Sequence, residues 1–260
     1  WDGTELWVAE LQPDGTLADA HLLAGGLRES IFQPCWSPQG DLYFVSDRTG
    51  FWNIYCWEAG TSKIVALHPM DAEFGLPQWI FGLSTYAFAG PNVLVCSYLI
   101  DGVAHLALLD VDSLAFQPLD FPYVSVDAVV AAPGEAFLIA ASATSGAALL
   151  RLDLASKQVE FLRRASDIAL DPAYVSAAQP IAFPTEAGLT AHGFYYPPVN
   201  PEFGPPPGEL PPLIVMSHGG PTAATSAGFR VSIQYWTTRG FAVLDVNYGG
   251  STGYGREYRE

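Results

Sequence analysis

The sequence predicts a partial β-propeller followed by the start of an α/β domain. Three observations lead there. Short strands alternate with turns over the first 165 or so residues, and one strand–turn–strand unit returns every 40 to 50 residues. After about residue 175 the pattern changes to strand, glycine turn, helix, strand.

At the amino end, WDGTELWVAEL has no initiator Met and reads as the middle of a strand pair. The stretch WSPQGDLYFVSDRTGFWNIYCWEAG, residues 36–60, shows the repeating unit best. A turn at 38–40 precedes an alternating strand over 41–46, and a turn at 47–50 leads into a strand over 51–57. The unit recurs at 92–111 and 135–154, and aligning Leu42, Val93 and Ala136 gives offsets of 51 and 43 residues. Outer strands follow at 63–68 and 158–164. About four strands in 40 to 50 residues is the size of a propeller blade, so three blades and a leading fragment are expected. Propellers have at least four blades, which puts further blades before Trp1.

In the second part, residues 181–185 and 189–197 read as an antiparallel pair around a turn at 186–188. A proline-rich connector follows at 203–212; prolines cannot donate to a ladder and favour extended surface chain. The apolar run 212–221 ends in glycines and is expected to be a strand buried on both faces. Phe229, Ile233, Tyr235 and Trp236 fall at helical spacing in a segment stopped by Gly240, and 241–248 is a second buried strand. The chain ends on GREYRE, with no stop signal, so both ends are expected to be cut.

The formal charge is −16, from 27 acidic and 11 basic residues among 260. Such a surface repels a phosphate backbone, which argues against nucleic-acid binding. No apolar run approaches the ~20 residues that span a bilayer, so no membrane partner is expected. Cys35, Cys56 and Cys96 sit in apolar runs, are odd in number and lack tight spacing; they read as buried free thiols. His21, His68, His105 and His192 are scattered, without metal-ligand spacing, and no cofactor or metal is expected. Trp36, Trp52, Trp57 and Trp79 read as blade packing residues. The cytoplasm is the expected location.

Two motifs carry chemistry. GGSTG at 249–253 matches the G-x-S-x-G nucleophile elbow literally. An elbow needs a helix immediately behind its serine, whereas Ser251 is followed by Thr-Gly-Tyr-Gly, and each glycine weakens a helix by roughly 1 kcal/mol. Nor does an Asp and then a His follow it in the nine remaining residues. Ser251 is therefore expected to lie in a glycine-rich loop at a strand end. His218-Gly219-Gly220-Pro221 fits the second oxyanion donor of an α/β-hydrolase, a glycine turn after an earlier strand. On the residues alone, a plain strand-to-helix turn accounts for it equally well.

HGGP, the helix ending in TTRG, and DVNYGGSTGYGREYRE together resemble the prolyl oligopeptidase family, in its acylaminoacyl peptidase and dipeptidyl aminopeptidase branch. PCWSPQGDLYFVSDRTGFWNIYCW and DAEFGLPQWIFG resemble propeller segments of bacterial members. The resemblance covers nearly the whole chain. Gly249 departs from it, because many relatives carry Arg there. It implies a β-propeller over residues 1–170 and the amino-terminal part of an α/β-hydrolase domain over 171–260. It also implies that the catalytic Ser, Asp and His lie beyond Glu260, so that the chain alone is inactive. Gly220 then matches the glycine whose N–H helps form the oxyanion hole, with Gly219 and His218 shaping the turn. Glu73, between two blades, is a candidate for holding a substrate's amino terminus, the alternative being a solvated loop acid. The implied function is a serine peptidase acting on short peptides. A non-catalytic propeller interaction module and an esterase are the alternatives.

Overall fold

A computed structural model of the chain describes residues 2–168, 170–220 and 222–260. Its first part is a series of antiparallel sheets laid down in chain order. It opens with the pair β1 (Thr4–Leu11) and β2 (Leu17–Gly26). The first four-stranded sheet is β3 (Ile31–Trp36), β4 (Leu42–Ser46), β5 (Asn53–Glu58) and β6 (Lys63–Ala66). The second is β7 (Tyr86–Phe88), β8 (Val93–Ile100), β9 (Val103–Asp110) and β10 (Phe116–Pro118). The third is β11 (Ser125–Ala132), β12 (Glu135–Ala141), β13 (Ala148–Asp153) and β14 (Val159–Arg164).

The repeat seen in the sequence falls on the two inner strands of each blade: Leu42 opens β4, Val93 opens β8 and Ala136 is the second residue of β12. Side chains alternate across a strand, and β13 shows the consequence. Ala148, Leu150 and Leu152 are buried, while Leu149 and Arg151 face solvent. The buried faces meet those of neighbouring sheets. Leu6 and Ala24 pack with Phe44 and Tyr55, Val45 and Trp52 with Leu94 and Cys96, and Val95 and Leu106 with Val129 and Leu138. Each sheet is thus stabilised by the next, and truncating a residue such as Leu94 to alanine would cost about 2–5 kcal/mol.

The second part is one mixed sheet. Its elements are β15 (Gln179–Pro184), β16 (Thr190–Tyr196), β17 (Leu213–Ser217), helix α1 (Val231–Thr237) and β18 (Ala242–Asn247), in the order β15-β16-β18-β17. β17 and β18 are parallel and joined through α1, the expected βαβ unit. Gly193 permits the close approach of β16 to β18, since a Cβ there would lie 2.8 Å from the Asp245 carbonyl oxygen. After β18 the chain turns through 248–255 into the single turn α2 (Arg256–Arg259), which meets the first blade where Arg256 N–H donates to Gly50 O at 2.6 Å.

Four expectations need correction. Among the described residues β17 is not covered on both faces: it stands last in the sheet order, with Leu213 and Val215 exposed, while Ile214 and Met216 reach the core of Phe194, Tyr196, Ile233 and Val243. The helix is shorter than its apolar spacing suggested and buries Ile233, Gln234 and Thr237, with Tyr235 and Trp236 turned outward. Gln234 is held inside because it bonds the Ser176 backbone at both its amide nitrogen and its oxygen. Trp36 and Trp79 are exposed, unlike buried Trp52. Cys35 is only half-buried, while Cys56 and Cys96 are buried, and all three are free thiols. Among the described residues, no helix is long and apolar enough to cross a membrane.

Candidate active site

At the carboxyl end of parallel strand β17 the chain leaves the sheet through His218, Gly219 and Gly220. Both glycines are exposed and His218 is half-buried. Gly220 has φ +72°, a left-handed conformation that a side chain disfavours, and a Cβ there would meet nothing within 4 Å. Among the described residues, the glycine is therefore required by the backbone and not by crowding. Pro221, the last residue of HGGP, lies outside the described residues.

The loop after β18 braces this turn. Tyr248 stacks on the His218 ring, with centroids 4.4 Å apart and planes at 18°. Its hydroxyl donates to Gly220 O at 2.8 Å and lies 3.3 Å from His218 O. On the other edge of the imidazole, His218 Nε2 lies 2.7 Å from Ser251 Oγ. That distance is what a nucleophile and its general base show. Exposure argues otherwise: Ser251 is 0% exposed, and no helix starts behind it. Its own N–H donates to Tyr248 O and closes a turn. What the pair does here is fix the imidazole against the glycine turn.

Glu73 is not a solvated loop acid. It is 2% exposed, bridges to β8 at Leu99, and accepts from Trp52 N–H at 2.7 Å and from Gly255 N–H at 3.0 Å. Burial pushes its carboxyl up to about 6, although these bonds and the nearby Arg259 guanidinium oppose that rise. Both oxygens are occupied by backbone donors, so in this conformation the carboxylate ties the propeller to the loop after β18 and does not face open space.

A second buried acid does the same, and the sequence reading missed it. Asp47 accepts from Ser30 N–H at 2.6 Å, from Arg256 Nη1 at 2.9 Å and from Arg259 Nη2 at 2.5 Å. Arg259 also lies 4.3 Å over the Trp52 ring. The available signal was composition: in a chain this acidic, two of only 11 basic residues stand in its last five. Trp79, read from the sequence as a blade packing residue, instead reaches the α/β part. Its indole N–H donates to Thr222 O at 2.9 Å, two residues beyond Gly220. Among the described residues, no group of three or more His, Cys, Asp or Glu is placed to hold a metal.

No protein-family model matches the chain. Solved structures do, over its whole length. A puromycin-hydrolyzing peptidase of Mycobacterium tuberculosis is 37% identical, with a TM-score of 0.94, and 40% of that protein is covered. A puromycin hydrolase, as a serine-to-alanine mutant complexed with PGG, is 35% identical, with a TM-score of 0.90 and 39% of its chain covered. Among curated proteins, dipeptidyl aminopeptidase BIII of Pseudoxanthomonas mexicana is 47% identical over 47 residues, 18% of this chain and 7% of that one. The chain thus spans about two fifths of the length of these solved relatives. Motif, sequence and fold agree: over its full length the chain is homologous to peptidases of the prolyl oligopeptidase family.

Proposed function

We propose that this chain is part of a serine peptidase that cleaves short peptides by acyl transfer, as an aminopeptidase, dipeptidyl peptidase or acylaminoacyl peptidase. The observation that carries the reading is the exposed left-handed turn at the end of β17, open on its ligand side and braced behind by Tyr248 and Ser251. In this reading Gly220 presents its N–H to the oxyanion as the scissile carbonyl is attacked. Such a donor acts on charge that develops only in the transition state and contributes roughly 3–4 kcal/mol. Gly219 lets the chain turn, and His218 supports it. The catalytic Ser, Asp and His are assigned to the part of the protein outside residues 1–260, in keeping with the fraction of the solved relatives that the chain covers. Residues 1–170 are the propeller and 171–260 the opening of the catalytic domain. The propeller restricts access to small peptides, and its Glu73 serves the contact between the two parts and not the substrate.

The test is hydrolysis of aminoacyl anilides and of acyl esters by the full-length protein, with fluorophosphonate labelling of residues 1–260 beside it. Anilide hydrolysis by the full-length protein and no labelling of the shorter chain are expected. Ester cleavage without anilide cleavage would favour an esterase, and labelling abolished by Ser251→Ala would make Ser251 the nucleophile.

A further inference from the structure

The segment after the glycine turn, 222–225, is tied down along its length. Thr252 N–H donates to Ala223 O at 3.0 Å. The Asn247 side chain accepts from Thr225 N–H at 2.8 Å and donates to Thr225 O at 3.3 Å. These ties come from within the α/β part. The first residue of the segment is held from the propeller, where the Trp79 indole N–H donates to Thr222 O at 2.9 Å. Thr222 is also the residue that needs holding. Its φ is +54°, and among the described non-glycine residues with left-handed φ it alone is β-branched. Such a side chain makes that backbone a genuine outlier, which persists only where the surroundings over-determine it. Gly220, two residues earlier, is left-handed as well. With two soft dihedrals per residue, a carbonyl fixed two residues on restricts how the Gly220 N–H can turn. The other end of the tie is firm. Gln78 Nε2 donates to Ile31 O in the first blade, and Trp79 N–H donates to Pro77 O at 2.9 Å.

The geometry points to Trp79 as a positioning residue for the oxyanion turn: from the propeller, its indole N–H holds Thr222 in a strained conformation and so sets the direction of the Gly220 N–H. This rests on the peptidase reading above. Trp79 touches no reacting atom in this role and acts through the Thr222 backbone. A packing role needs only the ring, whereas the strained carbonyl uses the N–H. Because the donor stands on the propeller, the turn keeps its geometry only while the propeller is seated against it. The consequence lies in the chemical step. An oxyanion donor acts on charge that develops in the transition state, so a turn released from Trp79 binds substrate as before and turns it over more slowly, whatever the substrate's side chain.

The experiment measures kcat and KM separately on the p-nitroanilides of phenylalanine, leucine and alanine. It uses the full-length protein and its Trp79→Phe, Thr222→Gly and combined variants, with folding checked by circular dichroism. Phenylalanine keeps an aromatic ring without the N–H, and glycine takes a left-handed φ without strain. Trp79→Phe should lower kcat about 10-fold on all three substrates and change KM less than about 2-fold, a part of the roughly 100-fold or more that a lost oxyanion donor costs. On the Thr222→Gly background the same replacement should lower kcat less than about 3-fold, because glycine keeps the conformation without the bond. Trp79→Leu removes the donor a second way and should show the same loss of kcat even if Trp79→Phe fails to fold. An unchanged kcat, or an equal loss on both backgrounds, would overturn the assignment while leaving the peptidase reading intact. So would a loss confined to KM or to the larger substrates, which would make the ring a substrate contact and not a brace. A wild-type protein that cleaves no anilide would remove the peptidase reading and this inference with it.

Discussion

Replacing Asp47 by alanine unpairs two guanidinium groups and one backbone N–H at the contact between propeller and α/β part. The Asp47 side chain is 0% exposed and that of Arg259 only 1%, so neither partner can recover hydration without movement. Removing one member of a buried pair costs about 3–5 kcal/mol, mainly through the charge left behind. The two arginines are not equally affected. Arg256 is 12% exposed and keeps Glu260 at 2.5 Å and the Asp2 carbonyl. Among the described residues, Arg259 keeps the Trp52 ring face and the more distant Glu73. The loss is then that of one stranded guanidinium plus the Ser30 N–H, about 4 kcal/mol. At about 2–4 °C per kcal/mol for domains of this size, the melting temperature falls by about 8–16 °C. Scanning calorimetry on the full-length protein measures it, and a cycle with Arg259→Leu isolates the pair. Removing the stranded charge should restore part of the loss, giving a coupling of about 2–3 kcal/mol. A shift under 2 °C, or a coupling near zero, would mean that the ion cluster does not hold the two parts together.

Glu73 gives a pH signature. Its folded carboxyl is raised from 4.5 to about 6, so the fold favours the protonated form. Its contribution to stability is full below pH 4.5 and is lost as pH rises through about 6, a change of about 2 kcal/mol. Glu73→Gln should flatten that limb of a stability–pH curve, and an unchanged limb would assign it to other groups. Gly220→Ala meets no steric obstacle but strains a left-handed residue by about 1–2 kcal/mol, so kcat should fall with KM little changed, by up to about 100-fold if the donor is displaced; an unchanged kcat in a folded enzyme would remove Gly220 from the site. Ser251→Ala should lower kcat of the full-length enzyme by no more than about 10-fold, the worth of one supporting hydrogen bond, and leave fluorophosphonate labelling intact. Complete loss of both would make it catalytic.

The blades were readable because the strand–turn–strand unit returns, with Leu42 and Val93 opening β4 and β8 and Ala136 second in β12, although β4 is buried at every position and so does not alternate. Helix α1 was placed but mis-faced. Apolar spacing pointed to Tyr235 and Trp236, whereas Gln234, an amide satisfied by the Ser176 backbone, occupies the interior. No periodicity records a polar side chain that is buried because a distant backbone matches it. The glycine turn was legible as a local motif. Its braces were not: Ser251 and Tyr248 lie 33 and 30 residues from His218, and the Asp47–Arg259 pair spans 212. Long-range pairs of this kind depend on the fold that brings them together.

The loop that braces the glycine turn is itself fastened to the propeller, through Glu73 to Gly255 and through Asp47 to Arg256 and Arg259. The two parts are consequently not interchangeable modules. A hybrid protein joined near residue 170, with a propeller taken from a relative, would keep every residue of the turn and yet lose the carboxylates that seat it. Such a graft has to carry the acids at 47 and 73 together with the arginines at 256 and 259. Substitutions at these four positions should accumulate as matched sets across the family, each change on the blade answered by one at the end of the α/β segment.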